Sequence, residues 1–184
     1  AINRGVKKII LAIGGSATND AGIGMAAALG VKFINKKGEI LEPTGENLIH
    51  IHVIDFEKSI LKKHNIEVIV LCDVTNELYG INGAAFVYAP QKGASEKYVK
   101  MLCEGLRDFA ATIGEDINFP GAGAAGGLGA GEKVFLNASF MSGFEYLLKE
   151  LNIEREVKNA DLIITGEGKM DMPTLSGKVV MGVT

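Results

Sequence analysis

The feature that most constrains this chain is one order of segments near its start. An apolar run, Lys7-Lys8-Ile9-Ile10-Leu11-Ala12-Ile13, leads into Gly14-Gly15-Ser16-Ala17-Thr18-Asn19-Asp20-Ala21-Gly22, and a small-residue helical pattern follows from Ile23 to Leu29. That order reads as strand, glycine loop, helix. Two further runs share the design. Glu67–Cys72 ends in Asp73-Val74-Thr75-Asn76-Glu77, and Asp161–Thr165 ends in Gly166-Glu167-Gly168-Lys169-Met170-Asp171. Continuous apolar, β-branched runs are the mark of strands buried on both faces. Ligands of open α/β sheets collect beyond the carboxyl ends of such strands.

The remaining pattern alternates. Strands are expected at Val31–Ile34, Ile49–Ile54, Ala85–Tyr88 and Lys133–Leu136, with Asn35-Lys36-Lys37-Gly38 as a hairpin turn. Helices are expected at Gly22–Leu29, Phe56–His64, Ser95–Ile113, Phe140–Leu151 and Ile153–Asn159. The longest has Ser95 at its N-cap and an apolar face of Val99, Leu102, Cys103, Leu106, Phe109 and Ala110. The expectation is one α/β domain over residues 1–184, with a mixed sheet flanked by helices. Its first residue is Ala and its last residues run through an apolar pattern, as in a segment of a longer chain.

Charge and cysteine usage exclude several classes. A net charge of −3 offers no concentrated basic face for nucleic acid. No apolar run reaches the length of a membrane span. Cys72 and Cys103 stand at no metal-ligand spacing and read as free thiols of a cytoplasmic protein.

Five loops carry the chemistry. Gly14–Gly22 offers backbone N–H groups with Ser16, Thr18 and Asn19 for an anion; Asp20 is a general base or a metal-facing carboxylate, unless it or Asn19 serves only as the helix N-cap. Asp73 suits Mg²⁺ or a substrate hydroxyl. Lys92, in Ala89-Pro90-Gln91-Lys92-Gly93-Ala94, adds positive charge before a helix start. The run Gly121–Gly131 holds six glycines in eleven residues and suits either nucleotide phosphates or close helix packing. The last loop joins two carboxylates to Lys169 and Lys178, the pairing that phosphoryl transfer uses. A dehydrogenase fits poorly, since no G-x-G-x-x-G opens the first helix. A non-catalytic receptor for a sugar acid or phosphate is the alternative to an enzyme.

Taken together, Gly14–Gly22, Cys72–Asn76, Pro90–Ala94, Gly121–Gly131 and Thr165–Gly168 with Thr174 and Gly177-Lys178 resemble the bacterial glycerate kinase family, in order and across nearly the whole chain. The resemblance implies ATP-dependent, Mg²⁺-assisted phosphorylation of D-glycerate to 2-phosphoglycerate. It also implies a two-domain α/β enzyme with its site in the cleft, this segment being the inserted domain and the second domain lying elsewhere in the same chain. Asp171 or Asp20 would then be the base, and Lys178 would neutralise phosphoryl charge. Gly15, Ser16, Thr18, Asn19, Lys92 and Thr174 would hold glycerate, Gly126, Gly127, Gly166 and Gly168 the ATP, and Asp73 the Mg²⁺. The implied partners are the two small molecules, with no nucleic acid or membrane; a homo-oligomer is compatible with the pattern. Glu77, Ala89 and Pro173 depart from the family's usual Pro, Gly and Gln.

Overall fold

The computed structural model describes residues 1–60, 66–158 and 160–164. Contacts divide the chain into two units, Ala1–Phe140 and one beginning at Met141. The first unit carries β1 (Lys8–Ala12), α1 (Ile23–Ala28), β2 (Lys32–Ile34), β3 (Val53–Asp55), β4 (Glu67–Leu71), α2 (Ala84–Tyr88), α3 (Glu96–Ile113) and α4 (Ala124–Leu136). β5 (Ser139–Met141) closes it, and the second unit holds α5 (Gly143–Glu150) and α6 (Ile153–Val157).

The fold is α/β, and its strand directions separate into two sheets. β1 pairs in parallel with β4, in register from Lys8 opposite Glu67 to Ala12 opposite Leu71, and β5 lies on the other side of β4. β2 and β3 form an antiparallel pair. The hairpin turn forms where expected: Asn35 N–H donates to the Glu39 carbonyl at 2.9 Å, and Ile34 bridges Ile40.

Burial follows position in the sheet. Central β4 buries Val68, Ile69 and Val70, as its β-branched run predicts. β1 does not match the expectation of burial on both faces, because among the described residues it is an edge strand: Ile10 remains 40% exposed. Lys8 and Glu67 pair at 3.2 Å across this edge, an exposed contact of small energetic weight.

The main core is aliphatic with a ring cluster at its centre. Phe135 of α4 meets Phe33, Phe56 and Phe109 at centroid distances of 5.9, 5.9 and 6.2 Å. α3 supplies Val99, Cys103, Leu106 and Phe109 from its inward face, as its spacing predicts. Ser95 occupies the N-cap position, although its side chain makes no capping hydrogen bond.

Several expected elements differ. Ala85–Tyr88 is helix α2, not a strand. Its first residues, Ala84 and Ala85, are small enough to be fully buried, and Val87 N–H closes a helical bond to the Gly83 carbonyl at 3.1 Å. Lys133–Leu136 is the last turn of α4, where packing of Phe135 into the ring cluster overrides β propensity. Ile49–Ile54 contracts to β3, preceded by a 3₁₀ turn at Gly45–His50. Of Phe56–His64, residues 57 and 58 form a turn rather than α-helix, and residues 61–65 lie outside the described set. Residues 161–164 form no strand among the described residues, and Leu162 and Ile164 are 76% and 88% exposed.

Candidate active site

The loops after β1 and β4 converge. A cavity of about 330 Å³ opens at the carboxyl ends of the two parallel strands, walled by Gly14, Gly15 and Ser16 on one side and Cys72, Asp73 and Val74 on the other. Tyr88, Gln91, Lys92, Ala124 and Ala125 complete it. Four of the five sequence-defined loops therefore meet in one place, as expected of parallel α/β strands.

Hydrogen bonds hold these loops together. Lys92 Nζ donates to Ser16 Oγ at 2.7 Å and to the Thr18 carbonyl at 2.5 Å. Ser16 Oγ donates in turn to the Ala125 carbonyl at 2.7 Å. The hydroxyl proton of Ser16 is thus spent on the backbone, and what remains to meet an anion is Lys92 and the amides of the glycine loop. Burial lowers the Lys92 pKa, and the nearby Asp20 carboxylate opposes that shift.

Asn76 is a second hub. Its carbonyl accepts from Gly121 and Gly123 N–H at 3.1 and 2.9 Å, its Nδ2 donates to the Asn82 carbonyl at 2.9 Å, and its Oδ1 accepts from Tyr88 OH at 2.6 Å. Burial raises the Tyr88 pKa, with Cys72 adding to the effect. The Cys72 pKa is likewise raised: burial is the largest cause, a backbone hydrogen bond with Val74 opposes it, and the Asp73 and Glu132 carboxylates add smaller increases. It is a protonated structural thiol rather than a nucleophile. Cys72 and Cys103 are both free, as expected.

Asp20 takes the cap role. It is 7% exposed, and its two oxygens accept from Gly22 N–H at 3.1 Å and Gly24 N–H at 3.2 Å at the start of α1. A carboxylate held by two amides is poorly placed to accept a substrate proton. Asn19 faces away from the first cavity and donates to the Ala84 carbonyl at 3.1 Å.

The glycine-rich run is built for packing. Residues Ala125, Gly126 and Gly127 leave helical geometry with φ of 55°, 81° and 90°. A side chain at Gly126 would overlap the Thr18 carbonyl and crowd Lys92 Nζ, so only glycine lets this backbone approach the first loop. Gly126 and Gly127, expected at phosphates, line neither this cavity nor the one beside it. Ala125, a non-glycine in the left-handed region, presents the carbonyl that Ser16 uses, so backbone strain sits at the site.

Asp171, Lys178, Thr174, Gly166 and Gly168, with Pro173, lie outside the described residues. Of the other departures from the family pattern, Ala89 has an ordinary φ of −67°, so its side chain causes no strain, and Glu77 is exposed. Tyr88, Gln91 and Asn76 are site residues that sequence reasoning did not single out. Tyr88 was hidden by the strand expected there, although its place just before the Pro90–Ala94 loop was a usable signal.

Among the described residues no group of three or more His, Cys, Asp or Glu side chains could hold a metal ion. Asp73 is the one carboxylate among the described residues that line the cavity, and that fits Mg²⁺, which commonly takes one or two carboxylates and completes its shell with water and phosphate oxygens. No described helix is long and apolar enough to cross a membrane.

Fold and site together define an α/β protein with a cavity lined by a glycine loop, a carboxylate and a lysine at the carboxyl ends of parallel strands. Comparison with known proteins makes this specific. The sequence profile of the glycerate kinase family matches residues 1–184. The chain belongs to the glycerate kinase family. It is 46% identical over 188 residues to a glycerate kinase of Bacillus cereus and 41% identical over 188 residues to glycerate 2-kinase of Escherichia coli. All of this chain and 49% of each relative is covered. A crystal structure assigned as glycerate kinase 2 of Salmonella typhimurium LT2 superposes with a TM-score of 0.84 at 39% identity, over 99% of this chain and 50% of that one. The chain spans about half the length of the curated relatives it matches.

Proposed function

We propose that this chain contributes the acid-binding and phosphoryl-transfer cleft of a cytoplasmic glycerate kinase, which phosphorylates D-glycerate at its 2-hydroxyl with ATP and Mg²⁺. The observation that carries this reading is the convergence of Gly14–Ser16, Asp73 and Lys92 on one cavity at two parallel strand ends. Phosphoryl transfer is mostly positioning and charge stabilisation, and those three elements supply an anion cradle, a carboxylate and a cation. The name of the Escherichia coli relative supports the 2-position.

The loop amides at Gly15 and Ser16, with Lys92, hold the glycerate carboxylate. Asp73 holds Mg²⁺ together with phosphate oxygens, and the ion would neutralise charge developing on the transferred group. Because both oxygens of Asp20 accept amide hydrogen bonds, the proton of the substrate hydroxyl goes to Asp171. Lys178 balances phosphoryl charge, Thr174 contacts glycerate, and Gly166 and Gly168 approach the nucleotide. Thr18 and Asn19 shape the cradle from behind.

The test uses the whole protein with ATP, Mg²⁺ and D-glycerate, with the product identified by phosphorus NMR. Glycerate-dependent 2-phosphoglycerate is expected, with a fall of about 10²–10⁴ in turnover for Asp171→Asn. Binding of glycerate without any product would favour a receptor over a kinase.

A further inference from the structure

Glycerate carries three polar groups, and the kinase reading gives partners to two of them. The carboxylate goes to the loop amides and Lys92, and the 2-hydroxyl gives its proton to Asp171. The 3-hydroxyl has no partner. An alcohol taken out of water unpaired costs affinity, so a selective site needs an acceptor for it on the cavity wall.

We propose that the Tyr88 phenol oxygen is that acceptor, taking a hydrogen bond from the 3-hydroxyl and selecting a 2,3-dihydroxy acid over its 3-deoxy analogue. The inference rests on the kinase reading and adds to it a specificity-determining residue.

Tyr88 ends α2 and lines the cavity together with Lys92, which follows in the Pro90–Lys92 turn. Its O–H donates to Asn76 Oδ1 at 2.6 Å. A phenol has one proton, so the oxygen is left with acceptor capacity only. The described wall of the cavity includes Tyr88 but not Asn76, so this bond runs back from the wall. Burial and the neighbouring Cys72 both raise the Tyr88 pKa, which keeps the proton in place at neutral pH. The influence of Cys72, beside Asp73 on the wall, shows that the hydroxyl end of the ring is the part at this corner.

The other side chains of the wall are committed. Lys92 can only donate. Ser16 Oγ accepts from Lys92 and donates to the Ala125 carbonyl. The Cys72 thiol donates to the Val74 carbonyl at 3.4 Å, and the kinase reading sets Asp73 against Mg²⁺. Gln91 is exposed, and its long side chain would lose more freedom in making the same bond than the half-buried Tyr88.

Titrations of the whole protein with D-glycerate and with D-lactate, which has hydrogen in place of the 3-hydroxyl, test the assignment. Wild-type protein should bind D-glycerate about tenfold tighter or better, because its acceptor is left unpaired by D-lactate. Tyr88→Phe should weaken D-glycerate about five- to tenfold and change D-lactate less than about twofold, the effect of one neutral hydrogen bond. Loss of the Asn76 contact alone would move both acids together. Equal weakening of the two acids, or no change in either, therefore overturns the assignment. If wild-type protein forms 2-phosphoglycerate and Tyr88→Phe keeps the selectivity, Tyr88 drops out and the kinase reading stands. If Tyr88→Phe loses the selectivity but wild-type protein forms no phosphorylated product, the contact stands and the kinase reading fails.

Discussion

Glu132 is 1% exposed, and its Oε2 has no partner among the described residues. Ionising it there removes a charge from water with nothing to replace the hydration, so burial raises its pKa to about 7 from 4.5. A raised acid pKa makes the folded state most favourable below the unfolded value. The penalty grows as pH climbs from about 4.5 to about 7 and is constant above, reaching about 3 kcal/mol. Thermal melts from pH 5 to 8 should therefore show the wild type losing stability relative to Glu132→Gln; equal slopes would place the charge elsewhere. Asp20 gives a second prediction at this scale. Asp20→Asn keeps one acceptor for the α1 amides, so it should cost about 1 kcal/mol in stability and change turnover only a few-fold. A drop of a hundredfold or more would restore Asp20 as the base. Sequence could offer both roles for this residue; only the two amide contacts separate them.

At the scale of elements, α4 shows where local patterns stop being sufficient. Its first residues abandon helical angles so that Gly126 can lie against the Thr18 carbonyl and Lys92. Gly126→Ala should force this contact apart and destabilise the fold by about 1–3 kcal/mol or more, with loss of glycerate binding. Calorimetry and a titration on the same variant check both. The glycines were visible in the sequence, but packing and phosphate binding both demand a close backbone, so composition left the choice open. The misread strands have a similar cause. Ala85–Tyr88 and Lys133–Leu136 are short β-prone runs whose helical state depends on burial of Ala84, Ala85 and Phe135 in one core. Where a segment is long and strongly periodic, as in α3, its pattern alone was enough to read it.

Across the whole molecule, four loops distant in sequence line one cavity; Lys92 ties its own loop to the first loop, and Ser16 ties the first loop to the glycine-rich run. Saturating glycerate at a hundred times its dissociation constant should stabilise the protein by about 2.7 kcal/mol. Lys92→Met should lose most of that gain and lower turnover about 10²–10³-fold. A full thermal shift retained in Lys92→Met would remove the lysine from the acid site. The sequence by itself determined the α/β class, the glycine loop after β1, the polar loop after β4, the hairpin and α3. Each of these is written within a few residues, by periodicity and turn chemistry. The tertiary structure alone decided that Ser16 spends its proton on Ala125, 109 residues away, and that Lys92 bonds Ser16 across 76. It also decided that Asp20 caps a helix. Such contacts depend on how the closed chain packs, and no local pattern encodes which distant carbonyl or amide a side chain will meet.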